Sequence, residues 1–373
     1  MSRIGAKLKT GLTVLATSCA LIPVVSTTAL AEERVLNVYN WSDYIAEDTI
    51  ANFEAKTGIK VVYDVFDSNE VLEAKLLSGK TGYDIVVPSA SFMAKQIKAG
   101  VFQTLDRSKL PNWKNLDTEI MSTVEGFDPG NQHAIPYLWG TTGLGYNPDL
   151  VAKHLGGDVP VDSWDLVFKP EYASKLQECG LTMLNAPTEM MQAALNYLDL
   201  DPNSTDKKDY AQAQELLSSV RPHVTYFHSS KLITDLANGD VCISVGWSGD
   251  VLQAADRADE ADKGITVEYV IPKEGALTWF DMLAIPKDAE NVDEAYAFIN
   301  YLMEDKVMAD IQNYVSYASA VKTAEQYVDA EITGNPGIYP TAEAKKNLYI
   351  SDVLPPKIDR VINRAFTKVT TGK

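Results

Sequence analysis

The sequence predicts an α/β fold of two lobes, each built on a mostly parallel sheet flanked by helices. Three features point there. Strand and helix alternate between residues 35 and 87, the rhythm of parallel strands joined by crossover helices. The alternation resumes beyond residue 181. Two long extended runs, 137–146 and 277–285, suit crossings between lobes rather than places in a single sheet. The length of 373 residues agrees, because about 100–200 residues per domain makes about two domains.

The chain opens with an address. Residues 1–31 carry Arg3, Lys7 and Lys9, then an apolar stretch from Leu12 to Val25, then Ala29-Leu30-Ala31. A basic start, a short apolar centre and small residues at a cleavage point describe a secretory signal peptide. A membrane span would need about 20 unbroken apolar residues. Ala16-Thr17-Ser18 ahead of Cys19 makes a poor lipobox, so cleavage is expected after Ala31. The expected destination is the periplasm.

The elements follow in order. Residues 35–39 read as a strand, and 46–56 as a helix with Ile50 and Phe53 on one face, stopped by Gly58. Residues 60–66 are β-branched and aromatic, hence a second strand. Asp67-Ser68-Asn69 caps a helix in which Leu72 and Leu76 stand four apart, and Gly79 ends it. Residues 83–87 form a third strand closed by Pro88. Later come a strand at 181–184, a helix through Met190 and Leu195, and a strand at 241–245. No repeat, low-complexity tract or heptad pattern interrupts them.

Composition excludes several classes. With 46% hydrophobic and 23% charged residues, the chain is neither disordered nor a disulfide mini-scaffold. The formal net charge of −18 repels phosphate backbones, so no nucleic-acid partner is expected. Beyond the signal only Cys179 and Cys242 remain. Two cysteines in an oxidising compartment usually pair, the alternative being two buried thiols. His133, His154, His223 and His228 are scattered and make no zinc spacing. No metal and no cofactor are expected.

In open α/β sheets ligands sit beyond the carboxyl ends of the strands. Those ends here read Trp41-Ser42-Asp43-Tyr44; Ser89 and Ser91; Asn185, Ala186 and Glu189; and Trp247, Ser248 and Asp250. The second extended run adds Trp279, Phe280 and Asp281. Carboxylates and aromatic rings recur, while Lys and Arg are missing from all of these clusters. Carboxylates pair ammonium groups, and indole and phenol rings pack methylenes and attract cations to their faces. Aromatic residues also plug interfaces between lobes, and acids are also solvated.

Enzyme signatures fail. Gly246-Trp247-Ser248-Gly249-Asp250 has Asp where a nucleophile elbow needs Gly. Gly79-Lys80-Thr81 ends a helix instead of opening one, and Ala74 stands where a phosphate loop needs Gly. Gly143-Leu144-Gly145 lacks the third glycine of a dinucleotide fingerprint. No catalytic residues are assigned.

Longer stretches carry a resemblance. Residues 39–44 (YNWSDY), 63–70 (YDVFDSNE), 84–89 (DIVVPS), 226–230 (YFHSS), 271–275 (IPKEG) and 356–360 (PKIDR) resemble the periplasmic polyamine-binding proteins of ABC importers, over nearly the whole mature chain. The resemblance implies a monomer of two lobes closing over one polyamine, with 32–139 and 281–325 in the first lobe and 140–280 and 326–373 in the second. It implies putrescine or spermidine as ligand, and an inner-membrane permease with its ATPase as partners. Trp41 and Tyr44 would line the pocket, Ser42 and Asp43 would bind an amine end, and Ser89 would lie nearby. Glu189, Trp247, Asp250, Trp279, Asp281 and Tyr317 would supply the remaining walls and carboxylates. Strand-end reading alone selects most of these but misses Tyr317. Putrescine-type members tend to carry Phe where Trp279 stands and spermidine-type members Trp, which leaves the preferred polyamine open. A sensing role without transport and a secreted amine-processing enzyme are the rival readings.

Overall fold

Alternate side chains of β1 (Val35–Trp41) turn inward, Leu36 and Val38 being fully buried. β1 lies between β2 (Lys60–Phe66) and β3 (Ile85–Val86), parallel to both. β2 is the edge strand and leaves Val62 and Val65 exposed. The crossover helices are Thr49–Thr57, ended by Gly58 in the left-handed region, and Asn69–Ser78, whose Ser68 hydroxyl accepts from the Val71 N–H. These match the expected start of the fold. The computed structural model describes residues 34–157 and 159–372. The expected signal peptide, with Cys19, lies outside the described residues.

The other strands are β4 (Ala134–Tyr146), β5 (Leu181–Met183), β6 (Tyr226–Phe227), β7 (Ile243–Trp247), β8 (Glu268–Val270), β9 (Ala276–Ala284), β10 (Ala318–Ser319) and β11 (Leu348–Ile350). The main path runs β2-β1-β3-β9-β4-β7-β5-β6. Both ends of that path are parallel; its middle is not. β9 is antiparallel to β3 and to β4, and β4 is antiparallel to β7.

The two extended runs therefore pair with each other inside the sheet, where the sequence suggested crossings outside one. The reason lies in their composition. Almost every residue of β4 and β9 is buried, and strands buried on both faces belong in the middle of a layered fold. Along its length β4 changes neighbour. Ala134 to Thr141 lie against β9, and Thr142 to Tyr146 against β7. The glycine punctuation serves this packing: a Cβ on Gly143 would stand 2.5 Å from the Val270 carbonyl oxygen.

Cys179 and Cys242 are bonded, with a Cα–Cα distance of 5.4 Å. The bridge ties the entering ends of the parallel neighbours β5 and β7, where the Cys242 N–H donates to the Gly180 carbonyl at 3.0 Å. Among the described residues no helix is long and apolar enough to cross a membrane, and no cluster of His, Cys, Asp or Glu is arranged to hold a metal ion.

Candidate binding site

β1 and β7 end in Trp41 and Trp247, whose rings meet edge to face at 5.3 Å. The Trp41 indole N–H donates to the Val87 carbonyl at 2.8 Å, which fixes its ring beyond the sheet. Tyr44 follows the turn after β1 and meets Tyr317 edge to face at 5.1 Å, while Trp279 of β9 stands 5.5 Å from Tyr317. These rings line a cavity of about 310 Å³ together with Ser42, Ser89, Glu189, Asp250 and Asp281.

Each carboxylate is held by neutral donors. Asp281 accepts from the Ser89 hydroxyl at 2.6 Å and from the Tyr44 hydroxyl at 2.9 Å. Ser89 precedes the helix Ala90–Lys98, but its hydroxyl does not cap that helix. Instead, Asn69 accepts from its N–H and donates to its Oγ. Asp250, in the first turn of the helix Ser248–Ala261, accepts from the Tyr317 hydroxyl at 2.7 Å. Its N–H donates back to the Tyr317 oxygen at 3.1 Å. Glu189 accepts from Thr142 at 2.7 Å and from the Trp247 indole at 3.0 Å.

These donors do not offset the loss of water. Burial pushes Asp250 up to about 8, against the Tyr317 hydrogen bond and aided by the charge of Asp43. Burial likewise pushes Asp281 up to about 7, against Ser89 and Tyr44 and aided by Glu189. Glu189 rises to about 7 by burial, with Glu70 adding repulsion. Three carboxylates thus converge on a cavity whose lining includes no Lys or Arg. Chemically, that arrangement suits a cation.

Ten of the eleven ligand-binding residues expected from the sequence line this cavity. Asp43 is the exception. It sits at φ 53° in the turn after β1, and its carboxylate accepts from Arg257 at 2.9 Å. The turn that carries Tyr44 inward carries Asp43 outward.

A second cavity of about 460 Å³ adjoins the first and shares Ser89, Glu189 and Trp279 with it. Ser91, Ala186 and Phe280 line this neighbour, while Asn185 and Ser248 line neither. Glu70 lines this neighbour too, and burial raises its pKa. The signal for Glu70 was only an acid in the first turn of a helix, which ordinarily complements the helix dipole.

The model for the bacterial extracellular solute-binding proteins matches residues 48–341. This chain belongs to that family. It is 57% identical over 343 residues to the putrescine-binding periplasmic protein of Pseudomonas aeruginosa, covering 92% of this chain and 94% of the relative. It is also 57% identical over 355 residues to the putrescine-binding periplasmic protein of Escherichia coli, covering 95% and 96%. Among solved structures, a putative spermidine/putrescine ABC transporter protein from Listeria monocytogenes superposes with a TM-score of 0.82 at 34% identity. That match covers 91% of this chain and the whole of the other. The α/β architecture described above is shared with that solved structure.

Proposed function

We propose that this protein captures a protonated polyamine, putrescine and also spermidine, in the periplasm and hands it to an inner-membrane ABC permease with its ATPase. One observation carries the reading: three buried carboxylates and five aromatic rings face a cavity whose lining offers no cation of its own. Asp250, Asp281 and Glu189 receive the ammonium groups, and Trp41, Trp247, Trp279 and Tyr44 enclose the methylenes between them. Ring faces attract the same cations. Ser42 and Ser89 contribute hydroxyls beside the ammonium groups. Asp43 acts from outside the cavity, through Arg257. The protein catalyses nothing.

Two lobes, with the boundaries expected from the sequence, close on the ligand about β4 and β9. The change of neighbour along β4 between Thr141 and Thr142 supports this division. So do polar contacts between the two sides: Ser42 to Ser230 at 3.0 Å, Thr188 to Glu70 at 3.1 Å, and Arg257 to Asp43. The names of the relatives at 57% identity support the ligand and the compartment.

Two experiments test the proposal together. Calorimetric titration of the mature protein with putrescine, spermidine, spermine and cadaverine should show tight, saturable binding of the first two. Polyamine uptake should fall in cells deleted for the gene and return on complementation. No binding of any polyamine overturns the ligand assignment, and binding with unchanged uptake overturns the transport role.

A further inference from the structure

We propose that the groove between the helices Lys207–Val220 and Pro356–Thr371 is a docking site for an acidic helical segment of a partner protein. The proposal is independent of the polyamine cavity. Lys357, Arg360, Arg364 and Lys368 follow one another at steps of three, four and four residues, so they form one stripe along the second helix. At a rise of about 1.5 Å per residue the stripe is roughly 16 Å long. Lys207 adds a fifth cation from the facing helix, and no carboxylate lines the groove. All five side chains are exposed, and among the described residues none of them forms an ion pair. Asp359, on the same helix, is engaged by Lys95 instead.

In a chain of net charge −18, five unpaired cations in one cleft are a local reversal of sign. The reversal selects among anionic partners. A single small anion needs donors that converge on one point, whereas these are strung along a line. A nucleic acid would bring its backbone against the acidic remainder of the surface. A bilayer surface is flat and cannot reach Tyr210 and Ala365, which are buried beneath the charged rim. The helix also has no apolar face left for lipid, since Ile358, Ile362 and Phe366 are buried within the protein. A helix carrying Glu or Asp at steps of three or four fits the spacing and the concavity, and feels the stripe within a Debye length of about 8 Å at physiological salt.

The test is fluorescence anisotropy with a labelled helical peptide carrying Glu at every fourth position. Its Lys counterpart, phosphatidylglycerol vesicles and inorganic polyphosphate serve as further probes. The mature protein should bind the Glu peptide saturably, bind the Lys peptide not at all, and lose the Glu peptide at high salt. The double variant R360E/R364E should bind it at least about tenfold more weakly, with putrescine affinity and thermal melting unchanged. K357Q/K368Q gives the same reading through a milder change if charge reversal impairs folding. Absence of Glu-peptide binding overturns the proposal. So does equal binding by the variants, or equally tight binding of the vesicles or polyphosphate.

Discussion

Asp250 and Asp281 illustrate how much a buried carboxylate can be given without being neutralised. Tyr317 bonds the first, and Ser89 and Tyr44 bond both oxygens of the second, yet burial holds each far above an ordinary carboxylate, Arg257 opposes this only in part at Asp250, and no positive charge lines the cavity. On the proposed function, a ligand ammonium would supply that charge. Removing one member of a buried charge pair costs about 2–5 kcal/mol, and about 1.4 kcal/mol is a factor of ten. Asp250→Asn and Asp281→Asn should therefore each weaken putrescine by about 30-fold or more in a calorimetric titration. If both variants bind within about threefold of the parent, these acids do not hold the amine. Trp279 lines both cavities, so a longer polyamine passes more of its chain across the ring. Trp279→Phe should weaken spermidine more than putrescine, by about 0.5–2 kcal/mol. Equal losses for the two ligands would make Trp279 a shared wall and not a selector.

At the scale of elements, legibility in the sequence followed locality. β2 and the helix capped by Ser68 stand where periodicity and capping chemistry put them, because those signals act within a few residues. The pairing of β4 with β9 was not readable. Two apolar runs separated by more than a hundred residues reveal their burial but not their neighbours. The site divides the same way. Residues ending β1 and β7 were legible from position alone, whereas Tyr317 follows Ser316, which closes the helix Asp305–Val315 in the left-handed region. It is brought in by a helix end and not a strand end, so only the resemblance identified it. Asp43 stands outside the cavity for the converse reason, since a left-handed turn reverses the direction its sequence position suggests. The junction of Tyr317 with the helix Ser248–Ala261 also explains Gly249. A Cβ there would lie 2.4 Å from the Tyr317 ring. Gly249→Ala should push that ring off Asp250 and weaken putrescine by about 1–3 kcal/mol, with far-ultraviolet circular dichroism unchanged. Unaltered affinity would mean that Tyr317 does not set the position of Asp250.

Over the whole molecule, the three raised carboxylates couple binding and stability to pH. Their unfolded values lie near about 4, so between about pH 4 and 8 the folded protein without ligand holds more protons than the unfolded chain. The contribution of these groups to stability is therefore greatest at low pH and declines as pH rises through their folded values of about 7 to 8. Thermal melting of ligand-free protein should show this decline, and the double variant D250N/D281N should show a shallower one. An equally steep decline in that variant would assign it to other groups. Ligand binding reverses the balance, because a diammonium ion binds the ionised carboxylates and expels their protons. The most direct measurement is calorimetry of putrescine binding near pH 7 in two buffers of different ionisation enthalpy, repeated at pH 6 and pH 8. The account predicts net proton release at pH 7 and an affinity that rises from pH 6 to pH 8. Binding with no proton exchange and the same affinity at all three pH values would contradict it.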